Sequence, residues 1–317
     1  MMYSVRHVTR FRYSTPITES VMEVRMQPRR DDVQHCLSFE LTTEPVTRIT
    51  ASRDYLGNIV HHFDVLRPHR ELTITAQALV TTTAAPPATR LDPGAWDELD
   101  ALVGEGDYVE MLIPSQFVRS TPLLRAFAQE LEITRRDDPL SLLREISERM
   151  HAALTYMPQS TRVDSPIDVA LQQRQGVCQD YTHIMLALVR ELGIPCRYVS
   201  GYLYHRRDDT SSSAPDATHA WVEALLPQLG WVGFDPTNNL LAGDRHIRVA
   251  IGRDYADVPP TRGVFKGQAD TELGVAVQVR LADEQTVDDE LLLVMKPLSP
   301  PRHDGEQPEQ QQQCRLS

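Results

Sequence analysis

Over roughly the first eighty residues, polar and apolar positions alternate. YSVRHVTRFRY, ESVMEVRMQP, CLSFELTT, NIVHHFDVL and ELTITAQALVT are rich in Val, Thr, Ile and Tyr, and each predicts a strand. Thr15-Pro16 and Gly57-Asn58 supply turn chemistry between them. Consecutive strands of this length predict an antiparallel β-sandwich over residues 1–85. AAPPATRLDPG then has the composition of a linker, and residues 86–94 are assigned to it.

Beyond the linker the period changes. Residues 95–103 and 120–132 repeat at helical spacing, and Thr121 can cap the second helix with Pro122 at its first position. Asp138-Pro139 opens another helix, with Leu142, Leu143, Ile146, Met150 and Leu154 on one face. A shorter helix is expected from Pro166 to Arg174. In QGVCQDYTHIMLALVRELGIPCRYVSGYLY, Tyr181, Ile184, Met185, Leu188, Val189 and Leu192 form one stripe, so Cys178 falls at the first turn of a buried helix. Gly193 and Pro195 end it. CRYVSGYLY, THAWVEALL, GWVGFDPTN, HIRVAIG and LGVAVQVRL predict further strands, with a polar loop at RRDDTSSSAPDA and a turn near Pro227–Gly230. These elements group as a catalytic core over 95–297, and the Pro- and Gln-rich stretch 298–317 is expected to be disordered.

Composition narrows the function. At 317 residues the chain is long enough for two domains and a tail. A formal net charge of -12 argues against nucleic acid or an anionic membrane as partner. Arg6, Arg10 and Arg12 break any apolar run near the N-terminus, so no signal peptide is expected. The four cysteines, Cys36, Cys178, Cys196 and Cys314, show no C-x-x-C spacing. Neither a zinc site nor a disulfide framework is therefore expected, and a reducing cytoplasm fits best. His61-His62 lacks further ligands, and no metal or cofactor is expected.

A thiol becomes a useful nucleophile only as its thiolate, so its pKa must be lowered. Cys178 has two devices for this: its place at a helix start, and a histidine able to take the proton. Gly176 lets the chain turn sharply into the helix and leaves room beside the sulfur. A hairpin turning near Pro227–Gln228 puts position 219 opposite about 235–237. Facing side chains there are roughly 5 Å apart at Cβ. Asp235 can then hold one ring nitrogen of His219 and leave the other for Cys178. Pro236 stops the strand directly after the carboxylate. Alone, Cys178 would read as a small buried apolar residue, His219 as a hydrogen-bonded strand residue and Asp235 as a turn former. Their combination favours function.

RQGVCQDYTHIMLALVRELGIPCRYVSGY, THAWVE and GWVGFDPTN, in that order, resemble the transglutaminase-like superfamily in its bacterial form with an N-terminal β-domain. LTYMPQST upstream and HIRVAIGRDYADVPPTRGVFKG downstream are similar to the same family. The resemblance implies an α+β fold, with a papain-like core whose nucleophile helix packs on an antiparallel sheet. It implies Cys178 as nucleophile, His219 as base and acid and Asp235 as orienter, and brings no calcium site with it.

The chemistry expected is acyl transfer at an amide of a protein or peptide substrate, through a thioester. Water resolves it in a hydrolase, the favoured outcome, and an amine in a transglutaminase. The competing expectations are a catalytically silent binding module and an N-acyltransferase using a thioester donor. Gln179 and Tyr156 are candidate oxyanion donors beside the Cys178 N–H, and Trp221 is a candidate groove wall. Asp180 reads as a helix-start carboxylate pointing away from the sulfur, Cys196 as inert packing, and His183 as lying on the wrong helix face.

Overall fold

The computed structural model describes residues 1–83, 90–92, 94–206 and 218–282, with the backbone of a strand at Val294–Pro297. Most of the expected linker, most of the polar loop before Thr218 and the tail 298–317 lie outside the described residues.

Six strands come first: β1 (Met2–Ile17), β2 (Glu19–Val24), β3 (Gln34–Glu44), β4 (Thr50–Arg53), β5 (Ile59–Val65) and β6 (His69–Thr82). Five were legible from alternation. β4 was not, because all four of its residues are exposed and it has no apolar face to announce it. Thr15-Pro16 makes no turn: β1 runs on to Ile17, and its pairing with β6 shifts between Arg12 and Ile17. Pro16 has no N–H to give a ladder, so it sits where the register breaks.

The helices follow the predicted signals. α1 spans Ala95–Gly104 and α2 spans Pro122–Glu130, with Thr121 Oγ1 accepting from Leu124 N at 3.1 Å. α3 spans Pro139–Ala153, and Asp138 Oδ1 accepts from Leu140 N and Ser141 N, both at 3.0 Å. β7 (Thr155–Tyr156), α4 (Ile167–Gln173) and β8 (Gln175–Gly176) lead into α5 (Cys178–Glu191). Every residue of α5 from Cys178 to Arg190 is buried, not one stripe alone. The helix lies between β9 (Cys196–Leu203) and β10 (His219–Leu226) and the other helices. Its polar residues are met locally: Arg190 donates to the carbonyls of Ile113, Cys196 and Arg253.

β11 (Gly230–Asp235), β12 (Leu240–Leu241) and β13 (His246–Gly252) complete an antiparallel sheet in the order β12-β11-β10-β9-β13. The remaining strands, β14 (Thr261–Lys266), β15 (Thr271–Leu281) and β16 (Val294–Pro297), do not join it. β15 pairs with β1 and β14 with β2, giving two further sheets ordered β16-β15-β1-β6-β3 and β14-β2-β5-β4. The sequence grouping had placed these last strands with the core. Alternation identifies a strand but does not name the strand it pairs with.

Side-chain amides tie the N-terminal strands to β13. Gln34 Nε2 donates to Arg248 O and Gln34 Oε1 accepts from Arg248 N, each at 2.8 Å. Asn58 makes the same double exchange with Ile251, again at 2.8 Å each. Each amide stands in for a strand neighbour on the backbone of β13 and pairs both the N–H and the C=O of the residue it meets.

Candidate active site

The β10–β11 hairpin sets the first pair of residues. Val222 faces Phe234 and Leu226 faces Gly230, and the turn between uses positive φ at Gln228 and Gly230. Continued by one residue, this register brings Trp221 level with Asp235, and His219 lies two residues further along the same face of β10. His219 and Asp235 are therefore diagonal neighbours on one face, within the expected register. His219 Nε2 donates to Asp235 Oδ2 at 2.7 Å. The two side chains are 3 % and 0 % exposed.

Asp235 is held by four more donors. Its Oδ1 accepts from Thr237 N at 3.1 Å and Asn238 N at 3.2 Å, a side-chain turn across Pro236. Its Oδ2 also accepts from Asn238 Nδ2 at 2.8 Å and from His246 Nε2 at 3.2 Å. Burial alone would push the carboxyl pKa up. The charge and hydrogen bond of His219, with the hydrogen bond of His246, outweigh it and hold the group well below the usual carboxylate range. An ionised carboxylate only accepts, so the Nε2 of His219 carries the hydrogen and its Nδ1 is bare in the neutral ring.

Cys178 is the first residue of α5, after Val177 in extended conformation. The start of the helix is fixed by Asp180, whose Oδ2 accepts from Val177 N at 2.8 Å and from Thr161 Oγ1. A Cβ on Gly176 would meet the Asp180 Cβ at 2.8 Å. The glycine's bare side is thus filled by Asp180, not left open beside the sulfur as the sequence had suggested. α5 packs against β10, the strand that His219 begins.

Tyr156 is brought beside the same turn. β7 pairs in parallel with β8, setting Tyr156 level with Gly176, and Met157 N donates to Gly176 O at 2.9 Å. Gln179 is buried, and its Nε2 donates to Val163 O at 2.8 Å, which ties it to the loop before α4. Trp221 is fully buried, and it lines a cavity together with Glu223, Trp231 and His246. Its ring stacks on His219 with centroids 6.1 Å apart and meets His246 edge-on at 5.1 Å.

Other candidates stay outside this group. His183 stacks on Phe117 and its Nε2 accepts from Tyr255 N at 3.2 Å; burial lowers its pKa to about 4. Cys196 is buried, and burial raises its thiol pKa to about 11. The residues that sequence reasoning missed are Asn238 and His246. Asn238 lies inside the quoted GWVGFDPTN, and His246 opens HIRVAIG as His219 opens its own strand, but nothing in the sequence says that both strand starts converge on one carboxylate.

Among the described residues, one set of His, Cys, Asp or Glu side chains has metal-like spacing: His219, Asp235 and His246, with ligand atoms within 4.8 Å of one another. The hydrogen bonding of His246 opposes that use. Gly243 N donates to His246 Nδ1 at 3.2 Å, which puts the ring's hydrogen on Nε2, the atom a metal would need bare.

Residues 3–81 match the bacterial transglutaminase-like N-terminal region, and residues 125–236 match the core of the transglutaminase-like superfamily. An uncharacterised protein of Mycobacterium leprae is 36 % identical over 282 residues, covering 88 % of this chain and 98 % of that one. The chain belongs to the transglutaminase-like superfamily. A crystal structure from Cytophaga hutchinsonii, described as a candidate cysteine protease, shares the fold with a TM-score of 0.69, at 21 % identity over 94 % of this chain and 98 % of that one. A Pseudomonas aeruginosa protein-glutamine gamma-glutamyltransferase is 31 % identical over 135 residues, 38 % of this chain and 19 % of that protein. The superfamily match ends at Pro236, so Asp235 lies inside it and Asn238 and His246 beyond it. No helix among the described residues is long and apolar enough to cross a membrane.

Proposed function

We propose that this transglutaminase-like chain is a thiol-dependent acyl-transfer enzyme with Cys178 as nucleophile, His219 as proton carrier and Asp235 as orienter. The observation that carries the proposal is the buried 2.7 Å bond from His219 Nε2 to Asp235 Oδ2, which leaves Nδ1 as the basic nitrogen. Cys178, at the head of the helix packed on the strand of His219, is the thiol it would serve. A helix start favours the thiolate, and an imidazolium beside it favours it further.

In the first half-reaction, the Cys178 thiol passes its proton to His219 Nδ1. The sulfur attacks the amide carbon, forming the C–S bond, and the carbonyl electron pair moves to oxygen. Cys178 N–H and Tyr156, beside Gly176, are the candidate donors to that oxyanion, with Gln179 the weaker candidate because its amide already serves Val163. The pair then returns, the C–N bond breaks, and the His219 Nδ1 proton goes to the leaving amine. In the second half-reaction His219 takes a proton from water or a second amine as it attacks the thioester, and the thiol is restored. Water needs no second binding site, so hydrolysis is the reading adopted.

The test is a glutamine-containing peptide library incubated with the enzyme, with and without a tagged primary amine. Products read by mass spectrometry should show cleavage or deamidation that Cys178→Ala abolishes. Tag incorporation in place of hydrolysis would reassign the second half-reaction to transamidation. No Cys178-dependent product from any amide would count against the proposal.

A further inference from the structure

His246 is buried and has no task in the three-residue mechanism, yet both of its ring nitrogens are committed. Nδ1 accepts from Gly243 N at 3.2 Å and Nε2 reaches Asp235 Oδ2 at 3.2 Å. A main-chain N–H can only donate and an ionised carboxylate can only accept. The two partners together therefore permit a single form of the ring, neutral with its hydrogen on Nε2.

We propose that His246 is a positioning residue of this site: a permanently neutral donor that shares Asp235 Oδ2 with His219, fixes the carboxylate against it, and limits how strongly that carboxylate holds the imidazolium. The inference rests on the Cys178–His219–Asp235 reading. Its physical basis is competition for one oxygen. Negative charge given to a second donor is no longer available to stabilise a charged His219.

The groups around His246 suit a neutral ring. Asp235 and His219 face it from β11 and β10, Arg245 adjoins it in sequence, and the Trp221 ring covers it edge-on. Burial, His219 and Arg245 all disfavour a charge on it, and Asp235 alone favours one; the balance is a lowered pKa. Further along the same face Glu223 is already paired with Arg197 at 2.7 Å and Arg248 at 3.4 Å.

The N-terminal strands hold this residue in place. Thr82 Oγ1 donates to Asp244 O at 2.5 Å, two residues before His246. Gln34 grips both peptide groups of Arg248, two residues after it. The N-terminal region thereby acts on the triad through the strand that carries His246, without supplying a catalytic residue.

The test is the pH profile of Cys178 alkylation by iodoacetate in wild type, His246→Leu and His246→Gln, read by peptide mass spectrometry. The anionic reagent is drawn by the imidazolium, so its rate falls as His219 deprotonates. Losing one donor from a buried carboxylate is worth about a tenfold change in an equilibrium. The alkaline limb should therefore move up by about one pH unit in His246→Leu. In His246→Gln, whose amide can donate to Asp235 and accept from Gly243, it should return to the wild-type position. An unmoved or lowered limb in His246→Leu, with His219→Ala still abolishing the reactivity, would overturn the role of His246 and leave the triad standing. Wild-type reactivity indifferent to His219→Ala would overturn the triad and this inference together. If His246→Leu does not fold, nitrogen-15 imidazole spectra of the wild-type protein decide the matter. A neutral His246 with its hydrogen on Nε2 from pH 8 to pH 5 supports the inference, and protonation near neutrality or the other tautomer overturns it.

Discussion

His219 and Asp235 meet just beyond the β10–β11 ladder: its register, continued by one residue from Val222 and Phe234, sets Asp235 level with Trp221, two residues from His219, and the 2.7 Å bond crosses between His219 and Asp235. The carboxylate can reach back because β11 ends at Asp235 and the chain folds over it, with Thr237 N and Asn238 N bonded to Oδ1. Asp235 thus terminates the strand, nucleates the turn and orients the histidine at once.

Asp235→Ala should cost about 3–5 kcal/mol of stability, because it strands buried donors as well as removing a charge. Asp235→Asn should cost less, since its remaining oxygen can serve the turn. Urea unfolding at pH 7 measures both. Equal, small losses would mean that the carboxylate is not the hub of the network.

Gly176→Ala puts a methyl 2.8 Å from the Asp180 Cβ, closer than side chains pack. The backbone or Asp180 must move, and Val177 N loses its cap. A loss of about 1–3 kcal/mol is expected, together with slower alkylation of Cys178. Unchanged stability and unchanged reactivity would show that the start of α5 does not depend on this fit.

The buried His183 makes stability depend on pH. Its folded pKa, about 4, lies below the unfolded value of ~6.5, so the unfolded chain binds the extra proton. Stability is then complete above pH ~6.5 and falls between that value and pH ~4, by about 3 kcal/mol from this residue. His183→Gln, which can still accept from Tyr255 N, should flatten that share of the loss. Urea midpoints at pH 7, 5.5 and 4.5 for both proteins test it, and parallel declines would contradict the assignment.

Gln34→Leu takes the side-chain acceptor from Arg248 N and one of two donors from Arg248 O, which keeps its bond from Arg29 N. A buried peptide N–H deprived of its acceptor costs about 1–3 kcal/mol. Amide hydrogen exchange should accelerate in β13 more than in β10. Uniform exchange across the sheet would show that the clamp is dispensable.

Much of the hairpin geometry was legible because side-chain period, turn residues and Pro236 all constrain the same few positions. The helix start at Cys178 was legible from the apolar stripe behind it. His246 was not, because its strand is next to β9 in the sheet and separated from β11 by two strands, and such an order leaves no local pattern. The same holds for β14 and β15, whose partners lie more than two hundred residues earlier. The reason for Gly176 was misread because Asp180, which fills its space, stands four residues on, within the helix that the glycine introduces.

The central claim is that Cys178 works as a thiolate served by His219. Its most direct test is the rate of Cys178 alkylation by iodoacetamide against pH, in wild type and His219→Ala, with Cys196 as the internal standard. An unperturbed thiol titrates near ~8.5, and one paired with histidine at a helix start titrates several units lower. The account predicts fast labelling of Cys178 at and below neutral pH, lost in His219→Ala, while Cys196 stays unlabelled in both. Slow labelling of Cys178 with an ordinary thiol profile in both proteins would contradict it.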